Sequence, residues 1–392
     1  MSVPVRHRRV TAVRWGARAR RLQTGLMRVV IAPDSFTGSI SARDAAAAIA
    51  TGWRGERPRD EIVELPQADG GVGTLEVVAH AVPDAVTHDA GTVHGADGRP
   101  VSARWLQLPD GRALVELADC VGLHLMARPD PLGASTRGLG ELLGRVLATG
   151  ARRIVVGLGG SGSTDGGAGA LAALGARFLD ASGRDLPDGG AALARLDRVD
   201  VGGIRRAPEE LTLWGDVTAP LTGPRGAASV FGPQKGAAAD DVRVLDAALA
   251  RLASVLGGDP HAAGAGAAGG TAYGLRTAWG AAFASGADAV ATLTGLDTSL
   301  RRADLVITGE GRVDASTATG KVAGAVMSRA DAAGIPVALV AGSLADGASD
   351  GRAAVSLVEL AGSPASAMEV PARWLAAAGR ILATNVSSTS VV

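Results

Sequence analysis

Four short runs of consecutive apolar residues set the tightest limit on the fold: RVVIA (28–32), IVVGL (154–158), LVITG (305–309) and VALVAG (337–342). None alternates apolar with polar, so each reads as a strand covered on both faces, the habit of parallel strands between helices. IVELP (62–66) and VSLVEL (355–360) read as further strands. Helical patterns fall between them. Ser41 opens SARDAAAAIATGW with Asp44 at the third helical position, a capping-box arrangement. Ser135 or Thr136 caps a helix that places Leu139, Leu142, Leu143, Val146 and Leu147 on one face, and Gly150 ends it. Strands and helices in alternation imply an α/β chain.

Two stretches break the alternation. Residues 86–118 read as a meander, with Val101, Ala103 and Trp105 alternating and a Pro109-Asp110-Gly111 turn leading into RALVEL. Residues 176–285 are mixed and rich in Gly and Ala, with helices near 240–256 and 271–284. A length of 392 residues suits two domains. The expected division is an open, mainly parallel sheet domain over 27–66, 126–175 and 290–385, with a second α/β domain from 67–125 and 176–289 inserted into it. Residues 1–26 hold seven Arg and no acid, and no apolar stretch follows as a targeting segment needs. They read as a disordered basic extension or a start codon placed too early, with Met27 the functional start.

The formal net charge is zero, which favours neither nucleic acid nor an anionic membrane surface. No apolar run reaches the length of a membrane span. The one cysteine, Cys120, lies in the apolar context LADCVGL, so the expected compartment is the reducing cytoplasm. The six histidines show no H-x-x-x-H spacing, and a zinc site is not expected.

The densest motif is GLGGSGSTDGGAGALAALG (157–175). Gly157, Gly159 and Gly162 form G-x-G-x-x-G between a strand and a helix, and Asp180 ends the next apolar run. This copies the dinucleotide fingerprint and raises the possibility of an NAD(P)-dependent oxidoreductase. Asp165 inside the loop would repel a pyrophosphate unless a cation stood between them, which favours a nucleotide phosphate with Mg²⁺. The expected phosphate cradle comprises Gly159, Gly160, Ser161, Gly166 and Gly167.

Carboxylates recur after apolar runs: Asp34, Asp69, Asp165, Asp216 and Glu310. Ligands of open α/β sheets bind outside the carboxyl ends of the strands. Singly, each acid is as readily a helix cap; together they point to a shared site for a hard cation or a proton. Only two of the 39 basic residues are lysines, Lys235 and Lys321, and both touch glycine. A lysine is a compact charge suited to a phosphate. Arg312 and Asp314 in GEGRVD could hold phosphate and substrate or simply pair with each other.

At these residues the chain resembles the bacterial glycerate kinase family, from Met27 to about residue 345. The carriers are IAPDSFTGSISA (31–42), PQADGGVGT (66–74), DPLGASTRGLGELL (130–143), the 157–176 loop and helix, GDVTAPLTGPRGAASVFGPQKGA (215–237) and ITGEGRVDASTATGKV (307–322). The resemblance implies two α/β domains, one flavodoxin-like, with the site between them, and ATP- and Mg²⁺-dependent phosphorylation of a glycerate hydroxyl, with 2-phosphoglycerate favoured. Mg²⁺ would then fall to Asp216, Asp165 and Glu310, and proton transfer to Asp34 or Asp165. Lys321 or Lys235 would offset charge on the transferring group. Gly309 and Gly311 would join the nucleotide site, and Ser35, Asp69, Arg312 and Asp314 the substrate site. Four departures mark the chain: Thr37 where relatives commonly have Lys, Val72 for Glu, Ser163-Thr164 for a Thr-Asn pair, and Ala219 for Asn. They leave room for a sugar-acid sensor that has lost catalysis. The oligomeric state is open.

Overall fold

The computed structural model describes residues 25–314, 317 and 321–388. The expectation for the basic N-terminal extension therefore lies, for residues 1–24, outside the described residues. Thirteen strands appear among those described: β1 (Arg28–Ile31), β2 (Glu61–Glu64), β3 (Val86–His94), β4 (Pro100–Gln107), β5 (Arg112–Glu116), β6 (Arg153–Gly157), β7 (Arg177–Leu179), β8 (Arg198–Asp200), β9 (Glu210–Trp214), β10 (Ala282–Ala284), β11 (Leu305–Val313), β12 (Val337–Leu344) and β13 (Ala353–Ser356). They divide between two compact units, one from the residues up to Ala68 and from Val290 onward, the other Asp69–Ala289.

The first unit is built on a five-stranded sheet, ordered β13-β12-β11-β1-β2, with every pair parallel. Counted within the unit, this is the 2-1-3-4-5 order of flavodoxin-like folds, with its switch point between β1 and β11. Successive residues serve opposite faces. Val29, Ile31, Leu305 and Ile307 pack with the Ala42–Glu56 helix and the C-terminal Pro371–Ser388 helix. Val30, Ala32, Val306 and Leu339 pack on the other side with the Val322–Ala333 helix. Ser41 caps its helix by accepting from the Asp44 amide at 3.1 Å. The run VSLVEL does not stay extended. Strand β13 stops at Ser356, whose hydroxyl accepts from the Glu359 amide and starts the Leu357–Ala361 helix.

The second unit holds a six-stranded sheet, ordered β10-β9-β6-β5-β4-β3. The β10-β9-β6-β5 side is parallel and β5-β4-β3 is the antiparallel meander. The expected division is corrected here: residues 126–175 belong with this unit. Backbone pairing decides it, since β6 lies between β5 and β9. The Arg137–Ala148 helix buries Leu139, Leu142, Leu143 and Val146 in the same core, which also takes Cys120. Residues 282–284, expected at the end of a helix, form β10, because the Thr271–Trp279 helix stops at Gly280 in a left-handed conformation.

Candidate active site

In the first unit the predicted residues gather at the switch point. Asp34 follows β1, and its amide donates to the Gly309 carbonyl of β11 at 2.9 Å. Its carboxylate accepts from the Ser35 amide at 2.6 Å, and both residues are half-buried. Buried Phe36 anchors the SFTG turn through paired backbone bonds with Ile40, leaving Thr37 and Gly38 exposed. On β11, Thr308 donates to the Ala32 carbonyl at 2.7 Å and ties the two strands together. Glu310 is 6% exposed, accepts from the Thr317 hydroxyl at 2.6 Å and lies 3.7 Å from the Lys321 ammonium. Burial, above all, raises its pKa, and Lys321 works against that shift. Arg312 points out to solvent and pairs with Asp314 at 3.0 Å. Three carboxylates (Asp34, Glu310 and Asp314), one ammonium and one guanidinium thus share this end of the sheet.

Gly309 and Gly311 differ in task. A Cβ on Gly309 would stand 1.7 Å from the Val340 carbonyl oxygen, so that glycine serves the close approach of β11 and β12. Its carbonyl is engaged by Asp34. Gly311 is half-buried beside the Thr37 amide, 3.7 Å from where its Cβ would be.

In the second unit the carboxyl ends of β5, β6, β9 and β10 face the turn 69–73. The Asp69 carboxylate accepts from the Gly71 amide at 2.9 Å. Gly70 presents its carbonyl to the Gly159 amide at 3.1 Å. A Cβ on Gly159 would lie 2.5 Å from Gly71 Cα, which is why the two glycine stretches must meet without side chains. Asp216, just past β9, accepts from the Ala287 amide at 3.0 Å and from Ser285, at the start of the Gly286–Leu293 helix. Its pKa is pushed up to about 6, first by burial and further by the negative charge of Asp69. Two carboxylates that resist ionising together form a place where a cation would be favourable.

The glycine loop departs from the expectation. Residues 161–170 are buried throughout, and their amides are largely spent inside the protein. Gly162 donates to Val121, Gly166 to Gly269, Gly167 to Asp165, and Ser163 to the Ser161 hydroxyl. Of the five expected cradle residues, Gly160 alone is exposed, and Gly159 is half-buried. Asp165 has zero exposure and accepts four hydrogen bonds: from the Thr136 amide and hydroxyl at 2.8 Å each, Gly167 at 3.2 Å and Gly169 at 3.1 Å. A carboxylate so enclosed and so fully occupied holds the loop to the Arg137–Ala148 helix; it is not placed to take a proton from a substrate or to ligate Mg²⁺. Lys235 is likewise 3% exposed, donates to the Ser163 carbonyl and is drawn by the Asp165 charge, while burial lowers its pKa to about 8. These two belong to the buried frame.

The dinucleotide fingerprint fails on topology. The strand after the loop, β7, pairs antiparallel with β8 and not with β6. Asp180 is taken up by Ser182 and Arg184 in a surface turn. One residue escaped the sequence reading: Glu116, at the end of β5, 5% exposed and bonded to the Gly73 and Leu75 amides at 2.9 Å each. It ends the apolar run RALVE and so carries the signature by which the other acids were found, but RALVEL reads through as a strand. Burial, foremost, lifts its pKa to about 7.

Comparison with known proteins supplies the class. The chain is 43% identical over 328 residues to a glycerate kinase of Bacillus subtilis, covering 81% of this chain and 85% of that one. It is 40% identical over 330 residues to a glycerate 2-kinase of Escherichia coli, covering 82% and 86%. A crystal structure from Salmonella typhimurium LT2, provisionally designated glycerate kinase 2, matches with a TM-score of 0.74 at 36% identity, over 93% of this chain and 99% of that one. The protein is a kinase, an enzyme of phosphoryl transfer. The model of the glycerate kinase family matches residues 29–387, and the chain belongs to that family.

Proposed function

We propose that this enzyme transfers the γ-phosphoryl group of ATP to a hydroxyl of D-glycerate with Mg²⁺, forming 2-phosphoglycerate. The observation that carries the reading is 43% and 40% identity, over four-fifths of the chain, to a glycerate kinase and a glycerate 2-kinase; the second name favours the 2-position.

The chain's own groups fit that chemistry. Phosphoryl transfer needs positioning and charge neutralisation more than covalent catalysis. In the first unit, Asp34 accepts the hydroxyl proton of glycerate and Lys321 offsets negative charge on the transferring group. Arg312, exposed and forked, pairs with the substrate carboxylate, with Ser35 and the SFTG turn as further donors. In the second unit, Asp69 and Asp216 are the groups that suit a divalent cation, with Glu310 a further candidate in the first. Among the described residues no set of three or more His, Cys, Asp or Glu forms a metal cage. Mg²⁺ is commonly held by one or two carboxylates together with the substrate phosphates, and Asp69 and Asp216 offer two. When bound, Mg²⁺ supplies charge neutralisation at the phosphate oxygens.

The test is direct. The protein is incubated with ATP, Mg²⁺ and D-glycerate, and the product is assigned by phosphorus NMR. A single 2-phosphoglycerate signal with stoichiometric ADP is expected. A 3-phosphoglycerate signal overturns the position, and no glycerate-dependent ADP release overturns the activity.

A further inference from the structure

We propose that Glu116 is a positioning residue for binding of the Mg²⁺–nucleotide, acting through the turn that carries Asp69. The inference rests on the kinase reading above and concerns a group that has no part in it. Glu116 is the last residue of β5 and stands in register with Gly157 of β6. Its side chain turns away from solvent, and its two oxygens divide between two donors. Oε1 takes the Gly73 amide and Oε2 the Leu75 amide, each at 2.9 Å.

These donors bracket the start of the Thr74–Ala81 helix. Helix-start amides need acceptors, and no side chain of the turn itself caps this helix. Glu116 fills that role from 41 to 43 residues away. The opposite end of the turn is held by Asp69 on the Gly71 amide and by the Gly70 carbonyl under Gly159. Between the two anchors the backbone is glycine-rich: Gly70 and Gly73 sit at φ of 88° and 90°, and Val72 is 44% exposed. A glycine turn has little stiffness of its own. The Glu116 clamp therefore sets where the turn rests, and with it how Asp69 faces Asp216. Nothing in the geometry brings Glu116 itself to a substrate, since it is 5% exposed beneath the turn it holds.

Glu116→Gln tests this. The amide keeps the size, but its NH₂ meets an N–H donor and one of the two bonds is lost. KM for Mg²⁺–ATP should rise about 10-fold or more with kcat changed far less, as expected when ground-state and transition-state binding are lost together. Hydrogen exchange of the 69–75 segment should quicken while β5 and β6 keep their protection. Glu116→Asp, which keeps the charge but shortens the reach, should fall between Gln and wild type. It also serves as the second variant should Gln not fold. Unchanged KM with unchanged exchange at 69–75 overturns the proposal, as does faster exchange spread over the whole 69–289 unit, which would make Glu116 a general support. If wild type itself fails to turn over glycerate, the kinase reading falls and the exchange measurement alone decides the clamp.

Discussion

Replacing Asp165 by Asn separates a buried support from a catalytic acid. The carboxylate accepts four hydrogen bonds through both oxygens and has zero exposure. Asn keeps one acceptor oxygen and turns an NH₂ toward the donors on the other side. With Oδ2 holding three of the bonds, the amide settles with its oxygen there and its NH₂ against the Gly167 amide. The loss then comprises one bond to a charged acceptor, about 1.5–3 kcal/mol. The Lys235 ammonium, which feels the Asp165 charge, also loses part of what offsets its burial, in the same direction. For a unit of this size about 2–4 °C of melting temperature goes with each kcal/mol, so the lost bond alone gives a fall of about 3–12 °C. The assay pairs calorimetry with kcat measured per folded molecule at a temperature where the variant is folded. A large loss of melting temperature with kcat within about 10-fold of wild type is expected, since 1.4 kcal/mol at the barrier is already tenfold. A variant that melts with wild type yet loses turnover a thousand-fold or more would falsify the argument and return Asp165 to the chemistry.

Three other outcomes follow from the geometry. Gly309→Ala forces a Cβ to 1.7 Å from the Val340 carbonyl oxygen, so the β11–β12 pair must part; expression should fall and the melting temperature drop by about 5 °C or more. Lys321→Met removes the ammonium 3.7 Å from Glu310 and should lower kcat by about 10–100-fold with little effect on melting, because the side chain is 38% exposed; an unchanged kcat removes Lys321 from the reaction. Asp216, raised to about 6, is charged above that pH and protonated below it, so kcat/KM should fall on the acid side with a midpoint near 6. Raising Mg²⁺ should move that midpoint lower, because a cation favours the ionised form; a midpoint indifferent to Mg²⁺ counts against Asp216 as a metal ligand.

Much of the architecture was legible because it is local. The all-apolar runs became the inner strands of two sheets, Ser41 capped its helix and the 86–118 meander formed as patterned. The flavodoxin-like order agrees with what the family resemblance implied. VSLVEL misled because apolar strand and buried helix look alike over six residues, and only the Ser356 cap distinguishes them. The partition of 126–175 also misled, since strand pairing is a non-local choice.

The sequence by itself determined the α/β class and the inner strands of both sheets, because apolar period and turn residues act over a few positions. Tertiary structure alone decided which acids remain available. Asp165 takes two of its four hydrogen bonds from Thr136, 29 positions away, and Glu116 takes its own from Gly73 and Leu75, 43 and 41 positions away. A carboxylate's task depends on the donors and solvent around it, and those are assembled only when distant segments pack.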